Sequence, residues 1–310
     1  MKPEMRLPKM SNIPHVIPYQ GSKRLLALQI LKQVKFDGIE TFYEPFAGSA
    51  AMTLAAAANS LARRYVIGDK LDALAKLWGI IINEPDKLVV EYSQHWNNQS
   101  SNPKEYYFSI REYFNKTKSP TALFYLIARC VKNSIRFNPD GEFNQSPDNR
   151  RLGMHPDKLR KQVLATSQLL KGKTEVISGD FQNTIRNANS NDLIYFDPPW
   201  GGLTKNPRYA YLLDYETLIE ELEGLNNRNV PFLLSFDGTC GSRSYVKELP
   251  EHLDLLRISL DAGRSTQATL LGRNEITFES LYISPAIRKK NKELGSQQPE
   301  KAFEQLALFG

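Results

Sequence analysis

The stretch Asp192-Leu193-Ile194-Tyr195-Phe196-Asp197-Pro198-Pro199-Trp200 constrains this chain more than any other. The turn-forming run Asn189-Ser190-Asn191 leads into four apolar residues, the pattern of a short buried strand. Two prolines then stop the ladder, because neither donates a backbone hydrogen bond. A carboxylate, a rigid backbone with bare carbonyls and a flat aromatic ring are therefore expected together at the C-terminal edge of one strand. Open α/β sheets bind ligands at that edge.

That constellation suits chemistry on an exocyclic amino group. The nitrogen lone pair of a nucleobase amine is delocalised into the ring, so the amine is a poor nucleophile. A carboxylate oxygen of Asp197 and the carbonyl oxygen of Pro198 can each accept one of its hydrogens, turning the nitrogen towards a tetrahedral shape. Trp200 can hold the base by stacking, worth ~1–3 kcal/mol. The tetrapeptide alone equally suits an ordinary Pro-Pro turn that closes on a core tryptophan.

Earlier segments supply a nucleotide-binding layout. Thr41-Phe42-Tyr43-Glu44 reads as a strand, Pro45-Phe46-Ala47-Gly48-Ser49-Ala50 as a small-residue turn, and residues 51–58 as a helix. A second strand, Tyr65-Val66-Ile67-Gly68, ends in Asp69, where an acidic side chain can accept ribose hydroxyls. The turn has only Gly48, not the three glycines of a dinucleotide fingerprint, and no Walker sequence occurs. An adenosyl group without a pyrophosphate is the cofactor these absences favour. Upstream, Tyr19-Gln20-Gly21-Ser22-Lys23 opens a helical pattern and offers backbone N–H groups and a cation to an anion.

From about residue 83 to 166 the strand–helix alternation stops. Residues 104–165 hold twelve Lys or Arg against six Asp or Glu, which accounts for the whole net charge of +6. Aromatic-rich helical stretches precede a loop-rich part in which Asp140-Gly141 signals a hairpin. Arg136, Asn138, Asn144, Arg150 and Arg151 are side-chain types that read base edges or phosphates, although a solvated basic insertion fits as well. The alternation resumes with Glu175-Val176-Ile177-Ser178, Gly179-Asp180-Phe181 and the Pro-Pro strand. A helix over 215–225 and strands over 231–235 and 275–283 follow. Lys205 and Arg208, just after the candidate active site, can clamp a nucleotide, although an ordinary surface loop fits equally.

With four scattered histidines and two isolated cysteines the sequence carries no metal signature, and no apolar run approaches a membrane span. The expectation is a reduced, cytoplasmic, nucleoid-associated protein without a metal.

Together these segments resemble the Dam-like, class α (D12) family of DNA adenine-N6 methyltransferases, in the family's own order. The resemblance implies an α/β class I S-adenosylmethionine-dependent methyltransferase, with a Rossmann-like mixed sheet and an inserted helical and hairpin DNA-recognition domain. It implies a discontinuous catalytic domain over 1–83 and 166–287, a target recognition domain over 84–165 and a flexible tail over 288–310. Cofactor binding by Tyr19, Gly21, Lys23, Glu44, Pro45, Phe46, Gly48, Asp69, Asp180, Phe181 and Asp197 follows from it. Catalysis falls to Asp197, Pro198, Pro199 and Trp200, acting on an adenine flipped out of duplex DNA. The sequence departs from the family at Ser22 and Ala50, where glycines are usual, and at Trp200, where tyrosine is commoner.

Other readings stay open on the motifs alone. Cytosine-N4 methylation uses the same geometry. Asp-Pro-Pro-Trp-Gly-Gly also resembles the motif of trimethylguanosine cap synthases, and a non-catalytic DNA-binding module is a third possibility. Gln305-Leu306-Ala307-Leu308-Phe309 resembles the pentapeptide by which bacterial replication proteins dock on the sliding clamp. Its test is a pull-down with clamp protein; equal recovery with and without residues 303–310 would end that reading. A monomer is the expected state.

Overall fold

The structure is a computed structural model that describes residues 13–199, 213–240, 243–244, 248–264 and 276–296. Trp200, Lys205, Arg208, Gln305, Leu306, Leu308 and Phe309 lie outside the described residues.

Eight strands form one sheet in the order β3-β2-β1-β4-β5-β8-β7, with β6 beside β5. Strands β1 (Ile39–Glu44), β2 (Ala62–Asp69), β3 (Thr174–Ser178), β4 (Leu193–Phe196) and β5 (Phe232–Cys240) run parallel. β8 (Ile276–Ile283) is antiparallel between β5 and β7 (Leu256–Arg264), and β6 is the two-residue piece Arg243–Ser244. The chain leaves β1 towards β2 and β3, then returns to place β4 on the other side of β1. That reversal opens a crevice at the C-terminal ends of β1 and β4, where doubly wound sheets bind ligands. At the opposite end Asp192 fixes the pair, accepting from the Thr41 N–H at 3.0 Å and from both the backbone and side chain of Asn189.

The helices divide between the two faces. α1 (Ala27–Leu31), α2 (Ala51–Ala58) and α3 (Asp72–Asn83) contribute to the larger apolar core, and α8 (Phe181–Ile185) and α9 (Tyr215–Asn227) to the smaller one. α2 is built mainly of alanine, and seven of its eight residues are buried, so short side chains let it lie close to the strands. Gly68 in β2 works the same way beneath α8: a Cβ there would fall 2.1 Å from Thr184 Oγ1.

Between β2 and β3 run α4 (Pro85–Asn98), α5 (Pro103–Thr117), α6 (Pro120–Arg129) and α7 (Pro156–Leu170), with a loop between the last two. These helices do not build a core of their own. Leu159, Val163 and Leu170 of α7 join the same buried cluster as α2 and α3, so α7 runs straight across the boundary expected at 165/166. α7 and β7 were not expected as elements. Among the described residues no helix is long and apolar enough to cross a membrane.

The basic run after Ile287 departs from the expected flexible tail, because α10 (Pro285–Ser296) carries it against the body. Asn291 accepts from the Lys35 N–H at 2.9 Å and donates to the Gln33 carbonyl at 2.8 Å. Lys290 donates to the Ser190 carbonyl at 2.6 Å, and Arg288 pairs with Asp254. Composition reads these residues as solvated, whereas the helix gives one face of them partners.

Candidate active site

Glu44 closes β1 and is 3% exposed. Its carboxylate accepts from the backbone N–H groups of Met52 (3.3 Å) and Thr53 (2.6 Å) in the first turn of α2. Burial pushes its pKa up to about 8 against those hydrogen bonds. The intervening turn is held from three sides: the Ala47 N–H donates to the Gly68 carbonyl, Trp78 Nε1 donates to the Gly48 carbonyl, and Ser49 Oγ donates to Ser22 Oγ. Gly48 has φ +49° and a Cβ on it would sit 3.1 Å from the Tyr19 ring. A bare backbone is thus required where the Tyr19–Gly21 loop crosses the first turn.

Asp69 ends β2 and ties this turn to its neighbour, accepting from Gly48 N–H at 3.1 Å and Leu71 N–H at 2.9 Å. Burial raises its pKa to about 6. The Asp69 carbonyl in turn receives the Gly179 N–H, which puts Asp180 on the adjoining edge. Asp180 is half exposed and paired with Lys70 at 2.6 Å. Phe46 stacks on Phe181 with centroids 5.2 Å apart, and Phe196 closes this aromatic wall. The cofactor candidates Tyr19, Glu44, Pro45, Phe46, Gly48, Asp69, Asp180 and Phe181 therefore sit around one sheet edge.

Asp197 follows β4 on the same edge. Its Oδ1 lies 3.0 Å from Nζ of Lys23, whose side chain is 8% exposed, and the same ammonium lies 3.2 Å from Glu279 Oε2. Burial pushes Asp197 up to about 6; Lys23 opposes the rise and Glu279 adds to it. Burial works against the charge of Lys23, yet the two carboxylates outweigh it and hold its pKa above the ordinary lysine value. Below them Tyr195, wholly buried, donates its hydroxyl to Ser235 Oγ at 2.8 Å.

The recognition candidates lie elsewhere, on the loop between α6 and α7. A hairpin does form around Asp140-Gly141, with Phe137 bridging Phe143 and the Asn144 N–H donating to the Arg136 carbonyl. Arg136 and Asn144 are exposed on it. Asn138, expected among the base readers, spends its side chain closing the turn: Oδ1 accepts from Glu142 N–H and Nδ2 donates to the Glu142 carboxylate. Arg150 and Arg151 both bind Asp148, whose side chain is 4% exposed and whose carboxyl they hold far below the usual range, Arg150 foremost. Arg151 also donates to Asn133 Oδ1 and the Cys130 carbonyl. One backbone bond, Gln20 N–H to the Asn133 carbonyl at 3.1 Å, joins this loop to the Tyr19–Gly21 segment.

Glu279, Asp148 and Asn133 escaped sequence reasoning. Glu279 left one signal, an acid on the face that Leu281 and Ile283 bury. Asp148 has its partners two and three residues on, in a sequence context shared by any solvated Asp-x-Arg-Arg run. Asn133 left none, since Arg151 and Gln20 reach it from distant segments.

An open sheet of this order, with acidic groups ending β1, β2 and β4 around a small-residue turn, defines a class I S-adenosylmethionine-dependent methyltransferase fold. A family model for D12 class N6 adenine-specific DNA methyltransferases matches residues 19–259, and the chain belongs to that family. It is similar to the Type II methyltransferase M.MjaIII of Methanocaldococcus jannaschii, 25% identical over 64% of this chain and 73% of that one. It is also similar to the DNA adenine methylase of Escherichia coli K12, 24% identical over 74% and 83% of the two chains. The Type II methyltransferase M1.LlaDCHI of Lactococcus lactis subsp. cremoris is 23% identical over 86% and 94%. The chain is accordingly a DNA adenine methyltransferase, and membership decides between the base classes that Asp197–Trp200 left open. Methyltransferases of this family use S-adenosylmethionine in general.

Proposed function

We propose that this enzyme methylates N6 of an adenine flipped out of duplex DNA, with Asp197 and the Pro198 carbonyl as the two acceptors for the amino hydrogens. The observation that carries the reading is the placement of Asp197 at the end of β4, beside the buried ammonium of Lys23. An ionised carboxylate is the stronger acceptor and carries no competing O–H donor, and burial alone drives Asp197 towards its neutral form; Lys23 counters that drive. Aligning the amino lone pair by two fixed acceptors is catalysis by positioning and needs no covalent enzyme intermediate. Pro198 contributes through its carbonyl, and its ring fixes the backbone that aims it.

The surrounding residues fit an adenosyl cofactor. Gly48 keeps its turn free of a Cβ, Asp69 has capacity for further donors beside its two backbone bonds, and Phe46 and Phe181 offer an apolar wall to a flat base. S-adenosylmethionine supplies the electrophilic methyl group when bound. Glu44 anchors the turn to α2, and Lys23 faces the crevice from the N-terminal segment. Arg136, Asn144 and Arg150 are the described residues we assign to DNA contact.

The test is transfer of labelled methyl from S-adenosylmethionine to unmethylated duplex DNA, with the nucleosides identified by mass spectrometry. N6-methyladenine should form with wild type and fall by about 10³-fold or more in Asp197→Ala. Turnover within tenfold of wild type in that variant would remove Asp197 from the chemistry.

A further inference from the structure

β8 brings into the site a carboxylate that none of the motifs supplies. Two carboxylates, Asp197 on β4 and Glu279 on β8, share the Lys23 ammonium across the width of β5, at 3.0 and 3.2 Å. With nearly equal distances, neither carboxylate owns the charge.

The sheet is shaped for this arrangement. β5 bulges between Ser235 and Gly238, and Gly238 is the residue paired with Glu279. A bulge bends its strand and re-aims side chains nearby, and the glycine sets no side chain beside Glu279. Glu279 alternates with Leu281 and Ile283, which belong to the core that α1 and α2 cover, the face from which Lys23 arrives.

We propose that Glu279 is a positioning residue that holds Lys23 between β4 and β8, so that Asp197 keeps an oxygen open to the amino group of the target base. The proposal rests on Asp197 being that acceptor. In a water-poor crevice an ammonium closing fully on one carboxylate makes a strong charge-assisted pair, which a neutral amino donor displaces poorly. Without Lys23, Asp197 would stand beside a second carboxylate with no counter-charge and would take up a proton. Lys23 must therefore be close but divided, and Glu279 divides it.

The other titratable groups facing Asp197 among the described residues are Glu44 on β1 and Tyr195 on β4. Glu44, pushed up to about 8, is largely protonated at neutral pH, and the Tyr195 hydroxyl is held well above its ordinary value, so neither supplies a competing charge there.

The experiment is single-turnover methylation by the full chain from pH 5 to 9, comparing wild type, Glu279→Gln and Glu279→Asp. Glu279→Gln removes a charge that raises Asp197, so the acid limb should move to lower pH. Its plateau rate should fall about tenfold while KM for cofactor and DNA changes by less than about twofold. Glu279→Asp keeps the charge and should hold the limb near its wild-type position, but its shorter reach should lower the plateau rate severalfold. A purely structural role would lower the melting temperature of Glu279→Gln without moving its limb. Wild-type limb and rate in Glu279→Gln would overturn the proposal. Should that variant not fold, Glu279→Asp alone decides, because a shorter side chain that leaves the rate untouched is incompatible with positioning. Asp197→Ala is run alongside. An active Asp197→Ala sinks the acceptor reading itself, whereas an inactive one beside an unchanged Glu279→Gln sinks only the role of Glu279.

Discussion

Asp197 and Asp148 are both enclosed aspartates beside basic side chains, yet their surroundings push them in opposite directions. At the sheet edge, burial raises Asp197 and Asp69 to about 6 and Glu44 to about 8. On the recognition loop, two guanidinium groups and the Arg150 N–H hold Asp148 below the ordinary carboxylate range. The difference lies in the donors. Among the described residues Asp69 and Glu44 receive neutral donors, chiefly backbone N–H groups, and Asp197 receives one ammonium that it shares. Asp148 receives two whole cations in fork geometry. The sheet edge keeps its carboxylates poised near neutrality, as sites of chemistry do. The loop spends its charge on stiffness.

The sharpest way to break this comparison is to remove the one cation at the sheet edge. Lys23→Met should lower methyl transfer by about 10²-fold and shift the acid limb to higher pH, because burial and Glu279 then act on Asp197 unopposed. A variant whose pH profile matches wild type would show that Asp197 stays ionised without Lys23.

A smaller effect separates the two aspartates by pH. The ordinary carboxyl value is 3.8, and folding raises Asp197 to about 6. Between those values the folded state holds a proton the unfolded state has lost, so this group costs stability as pH rises through the window. The stability of Asp197→Asn relative to wild type should therefore climb from pH 4 to 7. Asp148 is lowered instead, so its contribution is complete above 3.8 and lost only in more acid solution. Asp148→Asn should cost about 1–2 kcal/mol, a modest figure because Arg150 is mostly exposed, and the cost should stay constant from pH 5 to 7. Urea melts at several pH values measure both; parallel profiles would erase the distinction.

Much of the sheet edge was legible because its signals are local. β1, β2 and β4 each close on a short, largely apolar run that ends at or just before an acid, β3 leads through Gly179 to Asp180, and the run Ala51–Ala58 is α2 itself. β7 shows no apolar run, but it carries the other strand signal: Leu256, Ile258, Leu260 and Ala262 alternate with Arg257, Ser259 and Asp261, the period of a half-buried strand. The turn-closing part of Asn138 was not legible, because a turn-closing asparagine and a base-reading one have the same sequence context. The helical docking of residues 288–296 was not legible because charge runs look solvated until a docking face exists for them. Glu279 shows the general limit: its partner Lys23 lies at the other end of the chain, and no spacing rule connects them.

The finest division falls inside the loop itself, between two adjacent arginines. Arg150 binds Asp148 but keeps its side chain 81% exposed. Arg151, at 45%, spends Nε on Asp148, Nη1 on Asn133 and Nη2 on the Cys130 carbonyl, which makes it a clip across three turns. An exposed guanidinium that meets a phosphate releases a counterion, and removing it lowers the salt slope of DNA binding by about one. Arg150→Ala should therefore weaken DNA binding severalfold at low salt and flatten that slope, with a stability loss no larger than that of Asp148→Asn, because its guanidinium is mostly exposed. Arg151→Ala should lower stability by about 1 kcal/mol with little change in slope. Because Asn133 also receives the Gln20 N–H, loosening it should raise KM for S-adenosylmethionine in Arg151→Ala and not in Arg150→Ala. Identical salt slopes for the two variants would mean that the loop presents both arginines to DNA, or neither.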